Sequence, residues 1–159
     1  MSELNPYAKY LDGRPLQAIL SATPSAIATL IETIGPKKSI NPPAPGKWSA
    51  AEIVCHLVDC ELAFGFRLRQ TLAEDNHVIQ PFDQEKWAAT YPGIAAAQAL
   101  AVFFAIRDWN LKLIGKTLPR SANRKVTHPE RGAMTFKTIV ETMAGHDLNH
   151  LAQLQRLAQ

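Results

Sequence analysis

Three of the five histidines in this 159-residue chain stand where a helical bundle would keep its core. His146 and His150 are four residues apart in a segment whose apolar positions, Phe136, Ile139, Met143, Leu154 and Leu157, recur in helical steps. That spacing stacks both imidazoles on the buried face, about one turn apart. In another segment the inward line reads Ile53, His56 or Leu57, Cys60, Phe64 and Leu68. Desolvating three imidazoles with neither a cation nor polar partners is costly. Three neutral rings with an open position suit one divalent ion, such as zinc, nickel, cobalt, iron or manganese, and spacing alone does not choose among them. A water on such a centre has its pKa lowered towards about 7, which makes it a candidate hydroxide.

The other two histidines read differently. His77 follows one helix end and His128 precedes Pro129, so both are expected as solvent-facing loop residues at the far end of the bundle. Arg107 sits at a core position where leucine would be expected. A buried guanidinium needs an anionic partner: either Glu61 or Asp59 as structural glue, the favoured reading, or a substrate carboxylate. Asp59 and Asp147 lie near the histidines in sequence and are candidates to orient metal-bound imidazoles, or are plain helix-surface acids. Phe82, Trp87 and Tyr91 could roof the metal end or simply pin a long loop. Cys55 and Cys60, five apart on one helix, cannot bridge each other and read as reduced thiols, Cys60 as a small core residue.

Four long helices are needed to hold these groups. The first begins loosely at Pro15 and properly at Thr23-Pro24, and Gly35-Pro36 ends it. Ser49-Ala50-Ala51-Glu52 is a capping box that opens the second, which runs to about Ala73, with Trp48 stapled on Ile53. The third spans about Ile94 to Leu118, with Leu100, Phe103, Phe104, Arg107, Leu111 and Ile114 on one side. Pro119 to Met134 reads as loop, and Thr135 caps the fourth helix. No run alternates long enough to argue for a strand. The fold class is therefore all-α: a four-helix bundle, read as a single domain over 1–159.

The connection between the second and third helices is long enough to return along the whole bundle, about 60 Å extended against about 35 Å of helix. The topology is then up-down-down-up, with the second and fourth helices antiparallel. His56, about 9 Å into its helix, comes level with the other pair, about 14 Å from the end of theirs.

Composition narrows the function classes. The chain is 47% hydrophobic and 19% charged, as a soluble globular domain is, and no apolar run reaches the roughly 18–20 residues of a membrane span. Its start lacks the pattern of a secretory signal, so a cytoplasmic location is expected. The net charge of +3 is scattered and not interleaved with aromatics, which argues against nucleic-acid binding.

The ordered motifs Trp48-Ser49-x-x-Glu52-x-x-x-His56-Leu57-x-Asp59-x-Glu61, Phe82-Asp83, His128-Pro129-Glu130-x-Gly132 and Gly145-His146-Asp147-x-x-His150-x-x-Gln153-Leu154 resemble the DinB/YfiT-like superfamily. The resemblance runs from about Thr23 to Leu157. It implies the up-down-down-up bundle, metal ligation by His56, His146 and His150, and a homodimer. Similar members include thiol-dependent S-transferases and a thiol-dependent isomerase, so a low-molecular-weight thiol is a possible co-substrate; no clear thiol site is legible. The functional expectation is a metal-dependent transferase or hydrolase acting on an unidentified small molecule, the alternative being a non-catalytic metal-binding bundle.

Overall fold

A computed structural model describes residues 4–159. Four long helices, α1 (Leu16–Ile34), α3 (Ala50–Ala73), α5 (Ala96–Ser121) and α6 (Phe136–Leu157), form the bundle. Two short helices, α2 (Pro36–Ser39) and α4 (Gln84–Ala88), lie in the connections.

Side-chain contacts give the topology. Residues 55–59 of α3 face 99–102 of α5, and 61–69 face 105–110, so these two helices run parallel. Gln17 meets Gly115 and Leu20 meets Arg107, so α1 opposes α5. His56 meets His150, and Phe64 meets His146 further back along α6, so α3 and α6 are antiparallel. The order is up-down-down-up, with the crossover through α4 returning the chain along the bundle.

Local chemistry sets the helix ends. Ser49 accepts the Glu52 amide while the Glu52 carboxylate accepts the Ser49 amide, the reciprocal pairing that fixes the start of α3. Thr135 caps α6. The start of α1 differs from the sequence expectation: the helix begins at Leu16, and Pro24 lies inside it. Thr23 is therefore no cap; its hydroxyl donates back to the Ile19 carbonyl at 2.7 Å. A proline within a helix deprives the carbonyl four residues earlier of its donor. That carbonyl is Leu20's, and Arg107 Nη1 donates to it at 2.9 Å.

Residues 119–134 also depart from the expected loop. Pro119 is absorbed into the last turn of α5. Two strands, β1 (Lys125–His128) and β2 (Gly132–Thr135), then pair antiparallel, Lys125 opposite Thr135. They are four residues each, too short for alternation to stand out in the sequence. In the third helix the buried line is Ala96, Ala99, Phe103, Arg107, Asn110 and Ile114; Phe104, expected inside, is 40% exposed.

The core divides in two. One apolar cluster packs Ile19, Leu20, Cys60, Phe64, Ile114 and Met143; the other packs Ile27, Ile31, Leu57, Phe103 and Leu154. Between them lie the buried polar residues Arg107, Asp147, His146 and His150. No helix among the described residues is long and apolar enough to cross a membrane.

Candidate metal centre

The three histidines meet in this polar layer. His56 Nε2 lies 3.0 Å from His146 Nε2, and His150 Nε2 lies 3.1 Å from the same atom. All three rings are buried, and one nitrogen from each falls within 4.8 Å of the others. A ring nitrogen carries either one hydrogen or one lone pair, so His146 Nε2 can make at most one linear hydrogen bond to these two neighbours. Three lone pairs turned to a common cation would account for both contacts. Burial keeps the rings neutral: it pulls His56 down to about 3, aided by the nearby His150, and His150 to about 4. His146 is held well below its ordinary value by burial and by its two neighbours. Neutral, converging imidazoles are the donor set that a divalent ion accepts, so the cluster could hold one.

The surroundings orient these rings with groups other than the expected carboxylates. His150 Nδ1 donates to Gln153 Oε1 at 2.9 Å, which leaves its Nε2 lone pair for the cluster. Asp59 instead accepts from the Tyr91 hydroxyl at 2.7 Å. Asp147, next to His146 in sequence, points away from it because successive helical residues face different directions, and it accepts from Arg107 at 2.7 Å. Arg107 also donates to Glu61 at 2.7 Å. Of the two structural partners expected for this arginine, Glu61 is the one present, and Asp147 is a second that was not expected. Burial opposes its charge, but the Asp147 and Glu61 carboxylates outweigh that and hold it protonated.

Aromatic walls enclose the rings. Trp48 lies 4.8 Å from His56 between centroids, and Tyr7 meets His146 edge-on at 5.1 Å. The capping motif gave Trp48 only a stapling role, and no sequence signal was read for Tyr7. One was available: Gly145 precedes His146, and a Cβ there would come within 2.6 Å of the Tyr7 carbonyl, so only glycine lets the N-terminal segment cross α6. Cys60 is core, as expected, but its Sγ lies 3.4 Å from His56 Nε2.

A cavity of about 190 Å³ reaches His146 from the surface, lined also by Cys60, Phe82, Arg67, Arg131 and His128. His128 is thus not a solvent-facing loop residue: the β-hairpin folds its ring inward until it is 5% exposed. His77 is likewise half-buried, donating to Glu74 at 2.7 Å, and stands outside the cluster. Phe82 stacks on Trp87 at 4.4 Å and walls the cavity, whereas Tyr91 packs in the upper core.

Comparison with known proteins agrees with this architecture. A family model described as the DinB superfamily matches residues 19–154. A protein of Oceanobacillus iheyensis named provisionally as a metal-dependent hydrolase is 27% identical over 115 residues, 72% of this chain and 67% of its own. One of Bacillus mycoides with the same provisional name is 23% identical over 137 residues, 86% and 79% of the two chains. Among solved structures, YfiT from Bacillus subtilis, described as having an unusual four-helix-bundle topology and provisionally as a metal-dependent hydrolase, superposes with a TM-score of 0.82 at 19% identity. The match covers 89% of this chain and 83% of that one.

Proposed function

The chain belongs to the DinB superfamily, and from that premise we propose that His56, His146 and His150 hold one divalent metal ion and that the protein is a metal-dependent hydrolase. The observation that carries the reading is the convergence of three buried, neutral imidazole nitrogens on one point. A divalent ion held there supplies Lewis acidity toward a substrate oxygen. The chain's own residues do the rest. Gln153 fixes the His150 ring, Trp48 and Tyr7 keep water from the flanks, and the cavity past Phe82 admits a small molecule to His146.

The relatives' provisional names favour hydrolysis over transfer to a thiol. Tag-free protein reconstituted separately with zinc, nickel, cobalt, iron and manganese, and assayed on small esters and amides with and without a low-molecular-weight thiol, tests this. The expected result is hydrolysis that needs the metal but no thiol and is lost in His150→Ala. Turnover only with thiol would support the transferase instead, and metal binding without turnover would support a non-catalytic role.

The reading includes a homodimer in the cytoplasm. Leu62, Phe66 and Trp109, exposed along α3 and α5, support an apolar interface. Sedimentation analysis checks it, a monomer at micromolar concentration being the contrary result.

A further inference from the structure

The cavity that leads to His146 carries an unusual charge pattern for so small a space. Arg67, from α3, and Arg131, from the turn between β1 and β2, both line it. Among the described residues neither guanidinium has a carboxylate within ion-pair distance, whereas Arg14, Arg107 and Arg124 each do. Among the described residues lining the cavity, the charged side chains are Arg67, Arg131 and Glu130, two cations to one anion.

Arg67 is held in place without being neutralised. One Nη donates to the Gln80 carbonyl at 3.2 Å, and the guanidinium lies 5.8 Å from the Phe64 ring centroid and 5.6 Å from that of Phe82. Contacts of that kind orient a guanidinium while leaving most of its N–H donors for another acceptor. His128 adds a donor. Its Nδ1 accepts the Glu130 amide at 3.2 Å, so the neutral ring keeps its proton on Nε2. Two cations that repel each other across one cavity, with donors left over, call for an oxyanion between them.

We infer that the substrate of this site carries a carboxylate or phosphoryl group that Arg67 and Arg131 hold, placing the reacting part of the molecule at the His146 end of the same cavity. This assignment rests on the metal-dependent reading for the word substrate, while the anion subsite is a property of the cavity itself. A guanidinium pair and His146 lining one cavity would select short anionic molecules over neutral ones of equal size.

Calorimetric titration of the whole protein with benzoate, phenylphosphonate and benzyl alcohol tests the subsite, with the metal content of every sample measured alongside. The expected result is that at least one anion binds at least about tenfold more tightly than the alcohol. The tighter of the two anions identifies the oxyanion. Arg131→Gln, in the turn between β1 and β2, should weaken that anion about tenfold at unchanged metal content and unchanged circular dichroism, and Arg131→Lys should restore part of it. Equal binding of alcohol and anions, or no change in Arg131→Gln, would overturn the assignment. Wild-type protein that takes up no metal on reconstitution, yet still shows the Arg131-dependent preference, would instead contradict the metal reading alone.

Discussion

Arg107 donates to the carbonyl of Leu20, the acceptor that Pro24 leaves without a helical partner. One side chain thus repairs a defect in α1 while it bridges Glu61 on α3 and Asp147 on α6. Three of the four long helices depend on a residue supplied by the fourth, at the level where the histidines converge. Arg107→Met should therefore destabilise the protein by about 3–5 kcal/mol in urea unfolding, because it leaves two buried carboxylates uncompensated. The triple variant that also carries Glu61→Gln and Asp147→Asn should recover part of that loss. A single variant as stable as the wild type would contradict the role.

The neutral histidines predict a direction for pH dependence in metal-free protein. In the unfolded chain each imidazole takes a proton near 6.5, whereas in the fold His56 resists to about 3 and His150 to about 4. Below pH 6.5 the unfolded state binds more protons, so stability present above that value is lost as pH falls toward 4 and then 3. Urea midpoints measured from pH 7.5 down to 5 should fall steadily once below about 6.5. A flat profile would show that the rings are not buried in this way.

Gly145 fixes the N-terminal segment over the site. Gly145→Ala improves helix propensity by up to about 1 kcal/mol, but its methyl would strike the Tyr7 carbonyl. Overpacking of that kind costs about 1–3 kcal/mol, and the segment should lift from α6. Faster tryptic cleavage at Lys9, on the exposed face of that segment, is the expected readout; an unchanged rate would mean that the crossing tolerates a side chain.

Gln153 and Asp59 separate two accounts of how the imidazoles are oriented. Gln153→Ala should weaken metal affinity about 10–100-fold, since it frees the His150 ring. Asp59→Ala, which removes only the Tyr91 contact, should leave affinity within about twofold. Competition with a chromophoric chelator measures both. Loss of affinity in Asp59→Ala equal to that in Gln153→Ala would restore the carboxylate account.

Periodicity and capping made much of this legible in the sequence. The steps of three and four through Phe136, Ile139, Met143, His146, His150 and Leu154 describe the buried face of α6, and Ser49 with Glu52 marks the start of α3. The length of the crossover was enough to choose the antiparallel pairing that brings His56 to the other two. What escaped were effects made by distant partners. Pro24 reads as a helix start because the group that satisfies the Leu20 carbonyl it orphans is Arg107, 87 residues along the chain from that leucine. Asn110 gives no apolar signal, yet it bonds Glu61 and Arg69 and fits only because Gly65 opposite has no Cβ. His128 looks like a loop residue until the short hairpin turns it inward.

The central claim is that the three converging imidazoles bind a metal, and elemental analysis of protein purified without a histidine tag tests it most directly. One divalent ion per chain is expected in the wild type and in His77→Ala, whose ring lies on Glu74 outside the cluster, and none in His150→Ala. Absence of stoichiometric metal from the wild type, or equal loss from both variants, would contradict it.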